Sequence, residues 1–159
     1  MMKIKLLISD FDGVFTDNCV YISESGEESV KCNRSDGIGI KRLMSTGVDF
    51  IVCSSETVAL AEIRANKIGF KCFCSVADKL NFVKQYLFEK RIGSSECAFL
   101  GNDVNDLSVL KYVHYSIAVS DAFPEVLSAA NFLLRSAGGQ AAVREACDLV
   151  ISINSAPKD

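Results

Sequence analysis

The sequence predicts an α/β domain of three layers, a doubly wound parallel sheet between two layers of helices. Three observations carry that expectation. Short apolar runs alternate with amphipathic segments of about ten residues almost throughout, the pattern of strands joined by crossover helices. The runs are apolar at nearly every position rather than at every second one, as strands buried on both faces are. Polar clusters stand at the C-terminal ends of the runs, where open parallel sheets gather their functional groups.

Leu6-Leu7-Ile8-Ser9 is the first strand, and it ends in Asp10-Phe11-Asp12-Gly13, two acids one residue apart before a glycine. Like charges in a poorly hydrated site repel and raise one pKa, so a positive group is expected beside them. Cys19-Val20-Tyr21-Ile22 and Ser29-Val30-Lys31-Cys32 flank the turn-like Glu24-Ser25-Gly26-Glu27, which suggests a β-hairpin flap over about residues 18–33. A turn at Ser25-Gly26 sets Cys19 across from Cys32. Asp36 stands where it could cap the helix that follows, whose inward face is Ile40, Leu43 and Met44 and which Gly47 stops.

Val48 to Cys53 reads as the next strand, ending in Ser54-Ser55-Glu56 before a helix from Thr57 to Lys67. Phe70 to Cys74 is a short strand; after Asp78-Lys79 comes a helix with Leu80, Val83 and Leu87 facing inward. Cys97 to Leu100 runs into Gly101-Asn102-Asp103-Val104-Asn105-Asp106 and a helix through Leu110. Ser116 to Val119 is a further strand, Pro124 opens a short helix from its first turn, and Asn131 to Leu134 is the last strand. Gly138-Gly139 lead to a C-terminal helix with Val143, Ala146 and Val150 facing inward.

A chain of 159 residues suits one domain, placed at residues 1–153 with a frayed tail at 154–159. Hydrophobic content of 49%, charged content of 23% and a net charge of -3 give no reason to invoke nucleic acid or an anionic membrane, so the expected partners are small molecules or copies of the chain. No stretch approaches the roughly 18 apolar residues of a membrane span. Lys3 and Lys5 run straight into a strand, unlike a signal peptide, and the expected location is the cytoplasm. Seven cysteines without a CxxC pair read as reduced core or surface thiols.

The clusters at four strand ends, Asp10 with Asp12, Ser54 with Ser55, Asp78 with Lys79, and Asn102 to Asp106, converge on one sheet edge in a parallel fold. Their inventory suits metal-assisted phosphoryl transfer. Carboxylates hold a hard cation such as Mg2+, a hydroxyl and an ammonium hold phosphate oxygens, and a free carboxylate attacks phosphorus. No Walker-type glycine-rich loop is present, so a nucleotide is not indicated.

The set Asp10-Phe11-Asp12-Gly13-Val14, Ser54, Lys79 and Gly101 to Asp106 resembles the four motifs of the haloacid dehalogenase superfamily of aspartate-nucleophile phosphatases. The hairpin, Ser35-Asp36-Gly37-Ile38-Gly39, the segment Arg64 to Gly69, and Gly138 to Glu145 are similar to its capless branch. That branch contains the phosphatases of 2-keto-3-deoxy sugar acid phosphates and the C-terminal domain of animal CMP-sialic acid synthetases. The resemblance implies a Rossmann-like fold without a large cap domain. It implies Asp10 as nucleophile, Asp12 as general acid and base, Ser54 and Lys79 on the phosphoryl group, and Mg2+ held by Asp10, Asp12 and an acid or amide among Asn102, Asp103 and Asp106. Asn102 departs from the aspartate usual at its position and brings no formal charge to the metal.

Substrate contacts are implied for Ser55, Glu56, Arg64, Lys67, Gly138 and Gly139, with a role for Arg144 open. Glu56 resembles the nonulosonate members, which favours a nine-carbon acid 9-phosphate such as that of KDN or sialic acid, with KDO 8-phosphate next. The resemblance also implies a homotetramer joined through the hairpins. The alternative expectation is a phosphatase-like assembly or regulatory module with little turnover, motivated by Asn102.

Overall fold

The computed structural model describes residues 3–56 and 59–157. The chain runs through β1 (Leu6–Ser9), β2 (Tyr21–Ile22), β3 (Glu28–Ser29), α1 (Arg34–Ser45), β4 (Asp49–Cys53), α2 (Ala59–Ile68), β5 (Lys71–Phe73) and α3 (Lys79–Lys90). It continues through β6 (Cys97–Gly101), α4 (Leu107–Tyr112), β7 (Tyr115–Ala118), α5 (Pro124–Ala129), β8 (Phe132–Leu133) and α6 (Ala142–Ser155). The expected start of the second helix at Thr57 lies outside the described residues.

One six-stranded sheet has the order β5-β4-β1-β6-β7-β8, and all its pairs are parallel. The order reverses beside β1. Crossovers run from β1 outward to β4 and β5, then return to β6 and run the other way. With right-handed crossovers, α1 and α2 cover one face and α3, α4 and α5 the other; α6 returns to pack on α1. β1 and β6, covered on both faces, are buried at every position. This is the doubly wound, three-layer architecture expected, with no large cap among the described residues.

The chain leaving β1 is anchored in the core by Phe11, Val14 and Phe15, all fully buried. Phe15 lies 5.3 Å from Phe11, 6.2 Å from Phe50 and 5.7 Å from Phe70, ring centre to ring centre. Each such ring contributes about 1.5–3 kcal/mol by leaving water. The loop after β1 is thereby pinned at the C-terminal edge of the sheet.

The hairpin forms, but one residue out of the expected register. Tyr21 pairs with Ser29 and Ile22 with Glu28, which continues to Lys31, not Cys32, across from Cys19. The reason is a three-residue loop: the Gly26 N–H donates to the Ser23 carbonyl at 2.9 Å and the Ser23 N–H to the Glu27 carbonyl at 3.0 Å. Gly26 takes φ +82, the left-handed position such loops require.

Three further expectations are corrected. Asn33 caps α1, its side chain accepting from the Ser35 N–H at 2.9 Å, while Asp36 is buried inside the first turn. There Asp36 Oδ1 accepts from the Arg144 N–H at 3.0 Å, so the carboxylate serves the start of α6 rather than of α1. Met44 is 40% exposed rather than inward. The tail is ordered past residue 154, because α6 runs through Ser155 and the Asn154 amide accepts from the Ile4 N–H and donates to the Ile4 carbonyl, both at 2.8 Å.

Asp36 Oδ2 is buried without a hydrogen-bond partner. Burial pushes its carboxyl up to about 6, against the pull of the Arg144 N–H and the Arg64 guanidinium. Folded protein therefore holds a proton that the unfolded chain releases near 3.8, and stability falls as pH rises through that window. The variant Asp36→Asn removes this slope. Its stability relative to wild type, read from urea unfolding, is expected to rise from pH 4 to 7; a difference independent of pH would contradict the buried, protonated carboxyl.

Candidate active site

The reversal of strand order at β1 opens a crevice at the C-terminal sheet edge, between the ends of β4 and β6. A cleft of about 250 Å³ lies there, lined by Asp10, Asp12, Asn18, Ser54, Ser55, Glu56 and the run Asn102 to Asn105. Residues nearly a hundred positions apart meet because each follows the end of a parallel strand.

Asp10 continues the ladder of β1, its N–H donating to the Leu100 carbonyl at 2.9 Å. Its Oδ1 accepts from the Phe11 N–H at 2.7 Å, and its Oδ2 lies 2.8 Å from the Lys79 ammonium. The same ammonium lies 2.8 Å from Asp106 Oδ1. All three side chains are buried. Lys79 occupies the first turn of α3, the positive end of the helix dipole, where a cation is disfavoured; the two carboxylates offset that cost.

Burial pushes the Asp10 carboxyl up to about 7, Asp106 adds to the rise, and Lys79 draws it back. Burial works against the Lys79 ammonium as well, but Asp10 and Asp106 outweigh it and hold its pKa above the usual value. Burial and the charge of Glu56 raise the Asp12 carboxyl too, while Lys79 draws it back.

Asp106 Oδ2 accepts from the Asn102 N–H at 3.0 Å and the Asp103 N–H at 3.5 Å, so both of its oxygens are committed inside the protein. Asp103 lines the cleft, with Oδ1 accepting from the Val104 N–H at 2.6 Å. Asn102 is buried, its amide nitrogen against Gly13, where any side chain would overlap it. Gly13 also has φ +75, so glycine is required there twice over. Ser54 Oγ accepts from the Glu56 N–H at 3.2 Å, which leaves its own hydrogen to donate.

Two buried oxygens in this region have no hydrogen-bond partner, Asp12 Oδ2 and Asn102 Oδ1. The described lining carries four carboxylates and no cationic side chain, since Lys79 is turned behind Asp10. Orphaned acceptors amid unbalanced negative charge fit a hard cation with oxygen ligands. Among the described residues no trio of His, Cys, Asp or Glu forms a metal cluster, which follows from an amide at Asn102 and from the engagement of Asp106 with Lys79.

Of the expected substrate contacts, Ser55 and Glu56 line the cleft. Arg64 and Lys67 instead line a groove of about 420 Å³ with Arg34, Gly37, Ile38, Lys41 and Ile68. Gly138 and Gly139 do not line the cleft either; they pack on the backbone of residues 13–17 of their own chain, the Gly139 N–H donating to the Val14 carbonyl at 3.0 Å. Arg144 pairs with Asp148 at 2.7 Å, away from the site. Sequence reasoning missed Asn18, an asparagine at φ 63 in the lining, and Asp121, whose carboxylate accepts from the Gly138 N–H at 2.9 Å. It also left Asn105 without a role; the Asn105 amide donates to Ser55 Oγ at 3.0 Å and ties two strand ends together.

A family model for haloacid dehalogenase-like hydrolases matches residues 73–146. The 3-deoxy-D-manno-octulosonate 8-phosphate phosphatases KdsC of Yersinia pestis and Escherichia coli (strain K12) are 36% and 34% identical to the chain over 150 residues, 94% of this chain and 80% of theirs. Among solved structures, a probable YrbI family phosphatase from Pseudomonas syringae superposes with a TM-score of 0.93 at 37% identity, over 96% of this chain and 87% of that one. The 3-deoxy-D-manno-octulosonate 8-phosphate phosphatase of Moraxella catarrhalis, in complex with magnesium ion, phosphate ion and KDO, gives 0.90 at 26% identity, over 94% and 86%.

The ion triad makes a stability prediction of its own. Lys79→Met strands two buried carboxylates and is expected to cost about 3–5 kcal/mol in urea unfolding. Adding Asp106→Asn should recover part of that loss; equal losses in the single and double variants would show that the carboxylates do not share the ammonium.

Proposed function

The chain belongs to the haloacid dehalogenase-like hydrolases and is a phosphoric monoester hydrolase of their capless branch; from that premise we propose that it releases phosphate from a 2-keto-3-deoxy sugar acid phosphate. The observation that carries this reading is the fixed Asp10 carboxylate, held by Lys79 and the Phe11 N–H at the floor of a cleft that Asp12 also lines.

Asp10 attacks phosphorus, the bond to the sugar oxygen breaks, and Asp12 gives its proton to the departing alkoxide. Asp12 then takes a proton from the water that hydrolyses the aspartyl phosphate and returns Asp10. Lys79 keeps Asp10 oriented and favours its ionised form. The Ser54 hydroxyl, with its oxygen already occupied by the Glu56 N–H, donates to a phosphoryl oxygen. Asp10, Asp12 and Asn102, with Asp103 at the rim, are the groups that would hold Mg2+, the metal of the Moraxella catarrhalis relative. Bound there, it would offset the negative lining and the charge of the phosphoryl group.

Octulosonate 8-phosphate is the substrate named for the relatives. Glu56 supports a nine-carbon acid 9-phosphate instead, because its carboxylate lines the cleft and can accept hydrogen bonds from the hydroxyls of a longer sugar. The exposed apolar residues of the hairpin, Val20, Tyr21 and Ile22, support self-association through that flap.

Phosphate release from both classes of sugar acid phosphate, with Mg2+ and with EDTA, tests the reading. Release is expected only with the metal, to fall at least about a thousandfold in Asp10→Asn, and to need less Mg2+ in Asn102→Asp. Failure of wild type on every sugar acid phosphate overturns the substrate class, and unchanged activity in Asp10→Asn overturns the nucleophile. Light scattering at micromolar protein is expected to give a tetramer; a monomer overturns association through the hairpin.

A further inference from the structure

Two cysteines beside the cleft have no part in the chemistry above. Cys72 lies in β5 and Cys74 one residue past its end, and their sulfurs are 3.6 Å apart. Alternate residues of an extended chain share a face, which is why one intervening residue brings them together. Both are half-buried. β5 is the outermost strand on its side of the sheet, and Cys72 lines a groove of about 520 Å³ between that edge and α2, with Glu62, Asn66 and Lys71. A small polar oxidant in solvent therefore has access to the pair from the Cys72 side.

Phe73, between the two, is bound to the catalytic edge through its backbone. Its carbonyl accepts from the Ser54 N–H at 2.9 Å. Immediately downstream the Val76 N–H donates to the Ser54 carbonyl and the Ser75 N–H to the Glu56 carbonyl, each at 3.0 Å. Ser75 is already in the left-handed region at φ 57, so this segment has little freedom to absorb a shift. Whatever moves the peptide units around Phe73 moves Ser54.

We propose that Cys72 and Cys74 are a peroxide-sensitive thiol pair whose disulfide displaces Ser54 and reversibly lowers turnover. The thiolate of one cysteine of the pair attacks one oxygen of hydrogen peroxide, so that an S–O bond forms, the O–O bond breaks and the second oxygen leaves as water after taking a proton. The sulfur of the other cysteine then attacks the resulting sulfenic acid; the S–S bond forms, the S–O bond breaks, and the hydroxyl leaves as water with the proton of that second thiol. The two thiols give up two electrons and two protons, and the peroxide is reduced to two waters.

Sulfurs 3.6 Å apart must close to about 2.05 Å, and a ring spanning one residue cannot do so without turning the peptides of Phe73. The strained bond is correspondingly easy to reduce, as disulfides that act as sensors in reducing compartments are. The effect on turnover rests on the phosphatase reading above; formation of the bond does not.

Reduced wild-type protein, Cys72→Ser and Cys74→Ser are treated with hydrogen peroxide and read by intact mass, peptide mapping, amide hydrogen exchange at Ser54 and Val76, and phosphate release with Mg2+. Wild type is expected to lose two hydrogens at the Cys72–Cys74 peptide and to exchange faster at both amides. Its release should fall about tenfold or more, the order expected of a small misplacement at a catalytic group, and recover with dithiothreitol. Both serine variants should keep the activity of reduced wild type, form no disulfide at this peptide, and retain that activity after peroxide. Absence of the disulfide, unchanged exchange at Ser54, or equal peroxide sensitivity in the serine variants each overturns the proposal. If no sugar acid phosphate is turned over even by reduced protein, the substrate assignment fails separately, while mass and exchange still decide the thiol pair.

Discussion

The structure depends on one buried ammonium. Lys79 stands between Asp10 from the end of β1 and Asp106 from the loop after β6, 2.8 Å from each. Without it, two buried carboxylates would face one another unpaired, at a cost of several kcal/mol. With it, three separate segments of chain are bolted together at the point where the sheet changes direction. The arrangement has one negative charge too many, and the surplus lies toward the cleft. That excess suits the proposed divalent cation.

The loop that follows Asp10 is held from two sides. Within the protein, Phe11, Val14 and Phe15 sink into the core. Behind, the Gly138-Gly139 backbone lies flat on the Gly13 and Thr16 carbonyls, held in place by Asp121. Neither glycine lines the cleft, yet both lie so close to the backbone of residues 13–17 that a side chain at either position would collide with it.

How much of this could be read in advance follows from where each signal resides. Strands buried on both faces announce themselves as uninterrupted apolar runs, so β1, β4 and β6 and the polar residues that follow them were legible, and with them Asp10, Asp12, Ser54 and Glu56 in the cleft. Asp36 was misassigned because a local rule, an acid ahead of a helix, competes with a tertiary contact to Arg144 that is 108 residues distant. The hairpin register slipped because a left-handed Gly26 adds a residue to the turn. Arg64 and Lys67 were expected at the substrate, but which face α2 presents to which groove is decided by packing. Asp106 looked like a metal ligand by its neighbours in sequence; only the distance to Lys79 shows that its charge is already engaged.

The reciprocal amide contact between Asn154 and Ile4 has a practical side. It draws the last helix to the entrance of β1, at the edge of the sheet opposite the cleft. The two ends of the fold are therefore neighbours on the floor of the molecule. An affinity handle or a second protein spliced to either end would hang below the sheet and leave the mouth of the cleft open. A short linker would also join the ends, so that new termini could be cut elsewhere with the strand order kept.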